Sequence, residues 1–129
     1  MITITTLDDR QVQVNERDIV RVTGPYPHDP GPRTYVYGPM PQALATAEGA
    51  AALVGRLGVD PPLAELTRPN QTPVWVKGAA VSAVRAPLPG EITEPGAVNA
   101  VLVIAGQTQA VHEDVATARA IVNAHGGNV

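Results

Sequence analysis

The strongest constraint on this chain is that its two halves repeat one pattern. Slid along itself by 62 positions, the sequence aligns residues 1–25 with 63–87. Thr5 meets Thr67, Val12 meets Val74, Val14 meets Val76, Val22 meets Val84 and Pro25 meets Pro87. A slide of 68 aligns the remainder, so that Gly38 meets Gly106, Ala50 meets Ala118, Val54 meets Val122 and Gly58 meets Gly126. The change of offset puts six extra residues in the central loop of the second copy, and loops are where insertions are tolerated. A repeat of this size means one supersecondary unit used twice. With 129 residues, each copy is a small unit with its own apolar pattern.

Each copy reads the same way. Residues 2–6 and 11–15 alternate apolar with polar side chains, the period of a half-buried strand, and Asp8-Asp9 joins them as a hairpin. Residues 18–23 form a third extended segment, a Pro/Gly loop follows at 26–33, and residues 34–37 form a fourth strand stopped by Gly38-Pro39. Thr46 is expected to cap a helix running to Leu57, with Ala50, Leu53, Val54 and Leu57 on one apolar stripe and Gly58 at its end. In the second copy, residues 65–68 and 74–77 pair around Pro69-Asn70-Gln71, and 81–85 follow. Residues 100–105 and 107–111 flank Gly106 as a hairpin or one bent strand. Asp114 caps a last helix whose Val115, Ala118, Ile121 and Val122 face inward. The expectation is an α+β, β-rich fold of two tandem ββββα-type repeats packed as one compact unit. The first repeat covers 1–58, a short Pro linker 59–62, the second repeat 63–126 and a tail 127–129.

Composition removes many chemistries. There is no Cys, which excludes disulfides, thiolate metal sites and cysteine nucleophiles. The single Ser, Ser82, sits in an alternating run with no Gly-x-Ser-x-Gly elbow, and the single Lys, Lys77, is in no phosphate-binding loop. Net charge is −3 and aromatic residues are scarce, against general binding to nucleic acid. The longest apolar stretch is far short of the ~20 residues of a spanning helix, so no membrane partner is expected. The first ten residues lack the pattern of a signal peptide, which points to the cytoplasm, or to a virus particle assembled in the host cytoplasm.

The second copy carries Leu66-Thr67-Arg68-Pro69-Asn70-Gln71 as a strand and turn, Val74-Trp75-Val76-Lys77 as a second strand, residues 81–84 as a third segment and Val111-His112-Glu113-Asp114 as a helix cap. In these motifs it resembles the FlbD-like flagellar and swarming-motility proteins. The first copy matches more loosely through Ile4-Thr5 and residues 12–15. No catalytic residue carries over. The resemblance implies a non-enzymatic interaction or regulatory module, here doubled in tandem.

Candidate functional residues are few. Tyr26, His28, Asp29 and Arg33 lie in the Pro-rich loop, where a rigid backbone could present them to a ligand or partner; a solvated hairpin tip is the plainer reading. Tyr35 and Tyr37 share one face of their strand, opposite Val36. With Val74 and Val76 facing the core, Trp75 is expected to face outward, where it either marks an interface with a partner or is covered by a neighbouring helix or loop of the same chain. His112, Glu113 and Asp114 could form an acid/base or metal cluster, but their spacing suits a helix N-terminus better. His125 lies thirteen residues along that helix from His112, roughly 20 Å away at 1.5 Å per residue, so the two do not form a site. Arg10, Arg17, Arg21, Arg33, Arg68 and Arg85 could converge on a phosphate-bearing ligand, or line a solvated face or an interface rim.

With no catalytic, cofactor or metal motif, the chain is read as a non-enzymatic structural or interaction protein working in a homo-oligomer. It could join other proteins of a larger assembly, such as a capsid decoration or head–tail protein of a phage. The alternative is a protein that sequesters a nucleotide-like signal at a subunit interface.

Overall fold

The computed structural model describes residues 1–26, 28–38 and 42–129. It is a strand-rich α+β protein, and it divides into two compact units, Met1–Asp60 and Pro61–Val129. The division falls inside the Pro linker.

Unit 1 begins with a hairpin of β1 (Ile2–Thr5) and β2 (Gln11–Val14), paired Ile2 to Val14 and Ile4 to Val12. The alternation decides the faces: Ile4 and Val14 are buried while Thr3 and Thr5 are exposed. The connecting turn closes with Thr6 N–H on Arg10 O at 2.8 Å and Asp9 N–H on Thr6 O at 3.0 Å, with Asp9 in the left-handed region at φ 64°. Unit 2 opens with the same construction. Here β6 (Ala64–Thr67) pairs with β7 (Pro73–Val76), Arg68 N–H donates to Thr72 O at 2.7 Å, Gln71 N–H donates to Arg68 O at 2.9 Å, and Gln71 has φ 69°. The 62-residue offset that relates the sequences relates these hydrogen bonds one by one. A 3-10 turn follows each hairpin, Glu16–Asp18 in unit 1 and Gly78–Ala80 in unit 2, again 62 residues apart.

Three antiparallel strands come next in unit 1: β3 (Arg21–Thr23) pairs with β4 (Thr34–Tyr37), and β4 with β5 (Leu44–Thr46). Val22 and Val36 are paired across β3 and β4 and fully buried. The fifth strand changes the reading of the helix start. Thr46 ends β5, and its hydroxyl accepts from Glu48 N–H at 3.3 Å instead of capping a helix. Helix α1 (Ala50–Leu57) starts four residues later, after Gly49, with Leu53 and Leu57 buried and Gly58 at its left-handed end. Arg56 ties α1 to the hairpin: it donates to both Glu48 carboxylate oxygens at 2.8 Å and to Thr3 O at 3.2 Å.

In unit 2 the corresponding sheet is β8 (Val81–Arg85), β9 (Ala100–Ile104) and β10 (Gln107–Val111), antiparallel throughout. The two residues Ala105 and Gly106 turn β9 into β10 with φ of 49° and 80°, so the segment is a hairpin and not a bent strand. Helix α2 (Val115–Ala124) buries Ala118 and Val122. Asp114 caps it by accepting Thr117 N–H at 2.7 Å, as the sequence predicts.

Candidate functional site

The register of β3 and β4 creates the most distinctive surface of unit 1. Val36 points into the core, which sends Tyr35 and Tyr37 to the opposite face, both half-buried. Arg21 is the cross-strand partner of Tyr37, and its guanidinium carbon lies 4.0 Å from the ring centroid, a cation–π contact. The loop after β3 then folds back over this face. Tyr26 packs its ring 5.0 Å from that of Tyr35, its hydroxyl hydrogen-bonds the Tyr37 hydroxyl at 2.5 Å, and His28 stacks on it at 6.0 Å.

Asp29 is the fastener. Its carboxylate accepts Tyr26 N–H at 2.8 Å and the Tyr35 hydroxyl at 2.9 and 3.0 Å, while its own N–H donates to Tyr26 O at 3.0 Å. The side chain of Asp29 is 4% exposed, whereas that of neighbouring His28 is 82% exposed. The Tyr26 N–H, then the Tyr35 hydroxyl, hold the Asp29 carboxyl below the usual range against the opposing effect of burial, with His28 and Arg33 adding attraction. Burial and the adjacent carboxylate push Tyr35 up. Burial, with the Tyr26 hydroxyl, pushes Tyr37 up to about 12 despite Arg21. These groups are therefore held in one charge state near neutral pH, which suits a fixed surface better than proton transfer.

The structure thus gathers Tyr26, His28, Asp29, Tyr35 and Tyr37 into one patch, with Arg33 beside Asp29 and Tyr35. Trp75 requires a correction. It is 8% exposed, and its neighbours Val74 and Val76 are fully buried. Strand β7 is covered on both faces, and the alternation rule assigns a wet face only to a strand with one face in water. Trp75 is core, not surface.

His112, Glu113 and Asp114 hold the fold together. His112 N–H donates to Thr67 O at 2.8 Å, its Nδ1 lies 3.3 Å from Ala97 O, and both Glu113 oxygens accept Thr67 N–H. His125 Nδ1 lies 2.8 Å from Ile121 O, on its own helix. Of the arginines, Arg10 pairs with Asp8, Arg21 covers Tyr37, Arg68 is buried with Nε on the Thr72 hydroxyl at 2.8 Å, and Arg85 pairs with Glu91. Local partners explain these four without a shared ligand. Among the described residues, no group of three or more His, Cys, Asp or Glu side chains could hold a metal ion, and no helix is long and apolar enough to cross a membrane.

One feature escaped sequence reasoning. Leu88 and Ile92, in the loop after β8, are 58% and 42% exposed. Glu91 between them accepts Arg85 Nη1 at 2.7 Å, Arg85 Nη2 at 2.8 Å and Leu88 N–H at 2.8 Å. The signal was two aliphatic residues inside a Pro/Gly stretch with no strand or helix period to bury them.

Comparison with protein-family models, curated proteins and solved structures finds no match to this chain.

Proposed function

We propose that this chain is a non-enzymatic interaction protein that works in a homo-oligomeric assembly, with the tyrosine patch of unit 1 as a contact surface. One observation carries the reading: three half-buried tyrosines are tied into one surface, Tyr26 and Tyr35 by Asp29 and Tyr37 by the Tyr26 hydroxyl, with the Tyr26 and Tyr35 rings packed at a tilt. Tyrosine and arginine are the residues that dominate binding at protein interfaces. A surface fixed before binding loses little side-chain entropy when a partner covers it. A place in a larger particle, such as a capsid decoration or head–tail component of a phage, is one form such an assembly takes.

The test is native mass spectrometry of untagged protein purified without added ligand. A discrete oligomer with no extra mass supports the reading. A monomer over the micromolar range overturns it. Retained mass in the small-molecule range would replace it with the reading in which a nucleotide-like signal is sequestered.

A further inference from the structure

The loop between β8 and β9 presents what the tyrosine patch lacks. Among the described residues, the exposed large hydrophobic side chains are Met1, Leu7, Leu88 and Ile92. Two of the four thus fall in one loop. That loop is held: the fork of Arg85 on Glu91, the Leu88 N–H on the same carboxylate and the 3-10 turn Pro89–Glu91 fix its backbone. A fixed segment that leaves two aliphatic side chains in water is poised for burial against another surface.

Charge and shape select the partner. From residue 86 to 96 the loop contains Glu91 and Glu94 and no basic residue; Arg85 neutralises Glu91, which leaves the exposed Glu94. The patch on unit 1 is the reverse. It offers tyrosine rings beside Arg21 and Arg33, with His28 exposed, against a single carboxylate, Asp29, that is almost fully enclosed, so positive charge is in excess there. Proline and aliphatic side chains pack well on aromatic-lined surfaces, the chemistry by which proline-rich segments are bound. Pro87, Leu88 and Pro89 supply that segment.

We propose that the 86–96 loop of one copy docks on the Tyr26–Tyr35–Tyr37 patch of a second copy, with Glu94 facing Arg33, so that copies join head to tail. The proposal rests on the homo-oligomeric reading above and adds which surfaces meet. Because the two surfaces are unlike, the contact is heterologous, and the assembly closes into a ring or extends as a filament.

The experiment uses two variants and their mixture, measured by native mass spectrometry and light scattering. Leu88→Ser with Ile92→Ser removes the loop contacts; His28→Glu with Arg33→Glu reverses the patch charge. Circular dichroism verifies that each stays folded, and His28→Glu alone, at a side chain that is 82% exposed, carries the patch test if the double variant does not fold. Each variant should be monomeric at concentrations where the parent is oligomeric. Mixed in equal amounts they should form a species of two chains and no larger one, because only one intact loop and one intact patch then meet. Variants that keep the parental oligomer, or monomers that stay monomeric on mixing, overturn this pairing and leave the homo-oligomeric reading standing. A monomeric parent overturns both.

Discussion

The carboxylate of Glu113 accepts the backbone N–H of Thr67 through both oxygens, at 3.0 and 3.1 Å, across 46 residues of sequence. Thr67 closes β6 and Glu113 sits one residue before the cap of α2, so the pair locks the first hairpin of unit 2 to the start of its helix. Thr67 O is used as well, by His112 N–H. Glu113→Ala leaves the Thr67 N–H unsatisfied in a part-buried position, and should destabilise the protein by about 1–3 kcal/mol. Glu113→Gln keeps one acceptor and should recover part of that loss. Urea unfolding of the three proteins measures both effects.

Gly78 and Gly55 predict opposite signs for the same substitution. A Cβ on Gly78 would sit 2.8 Å from Val122 O and 3.0 Å from Gly127 N, against the backbone at the end of α2, which cannot yield. Gly78→Ala should therefore destabilise by about 1–3 kcal/mol. Gly55 lies inside α1, and a methyl group there would meet nothing within 4 Å, so Gly55→Ala should stabilise by about 1 kcal/mol through helix propensity. Thermal unfolding monitored by circular dichroism decides both signs.

Trp75 is the single tryptophan, and it is buried. Its fluorescence should be blue-shifted in the native protein and move to the red in one step on unfolding. Trp75→Ala should cost about 3–5 kcal/mol, the range for emptying a core aromatic site. An assembly defect in that variant would report lost folding, not a lost contact.

The patch should titrate outside the neutral range at both ends. Tyr37 is pushed up to about 12, against about 10 for tyrosine in an unfolded chain. A raised pKa stabilises the fold below the unfolded value and is lost as pH rises through the folded one, so this contribution should disappear between about pH 10 and about 12. Ultraviolet titration should show at least one late tyrosine, and Tyr26→Phe, which removes the hydroxyl partner, should bring it to lower pH. Full ionisation of all three tyrosines near pH 10 in the folded protein would contradict the packing described.

Asp29 behaves in the opposite sense. Its carboxyl is held low, so its contribution is present above the unfolded value and is lost as pH falls through the folded one. Tyr35→Phe should raise its pKa only part of the way back, because the Tyr26 N–H is the larger influence and remains. Carbon-13 NMR of the aspartate carboxyl carbons follows the shift directly.

Much of this molecule is written in local sequence. The alternation in β1, β2 and β6, the Asp114 cap and the apolar stripes of the two helices all depend on residues within one or two turns of each other, where spacing alone dictates which side chains share a face. Tyr35 and Tyr37 were legible on one face for the same reason. The offset of 62 is likewise plain in the letters, and the hairpin turns obey it hydrogen bond by hydrogen bond.

Tertiary structure decided what local spacing leaves open. Whether β7 has a wet face depends on what covers it, so Trp75 is core although it points away from Val74 and Val76. Thr46 could cap a helix or end a strand, and pairing with Thr34 across β4 and β5 chose the strand. The joining of Asp29 to Tyr35 and of Tyr26 to Tyr37 required a loop to fold back over a sheet, and the fork of Arg85 on Glu91 set Leu88 and Ile92 in water. Period and propensity act along the chain, whereas burial and side-chain partnership are properties of neighbours in space, and only the folded chain supplies those.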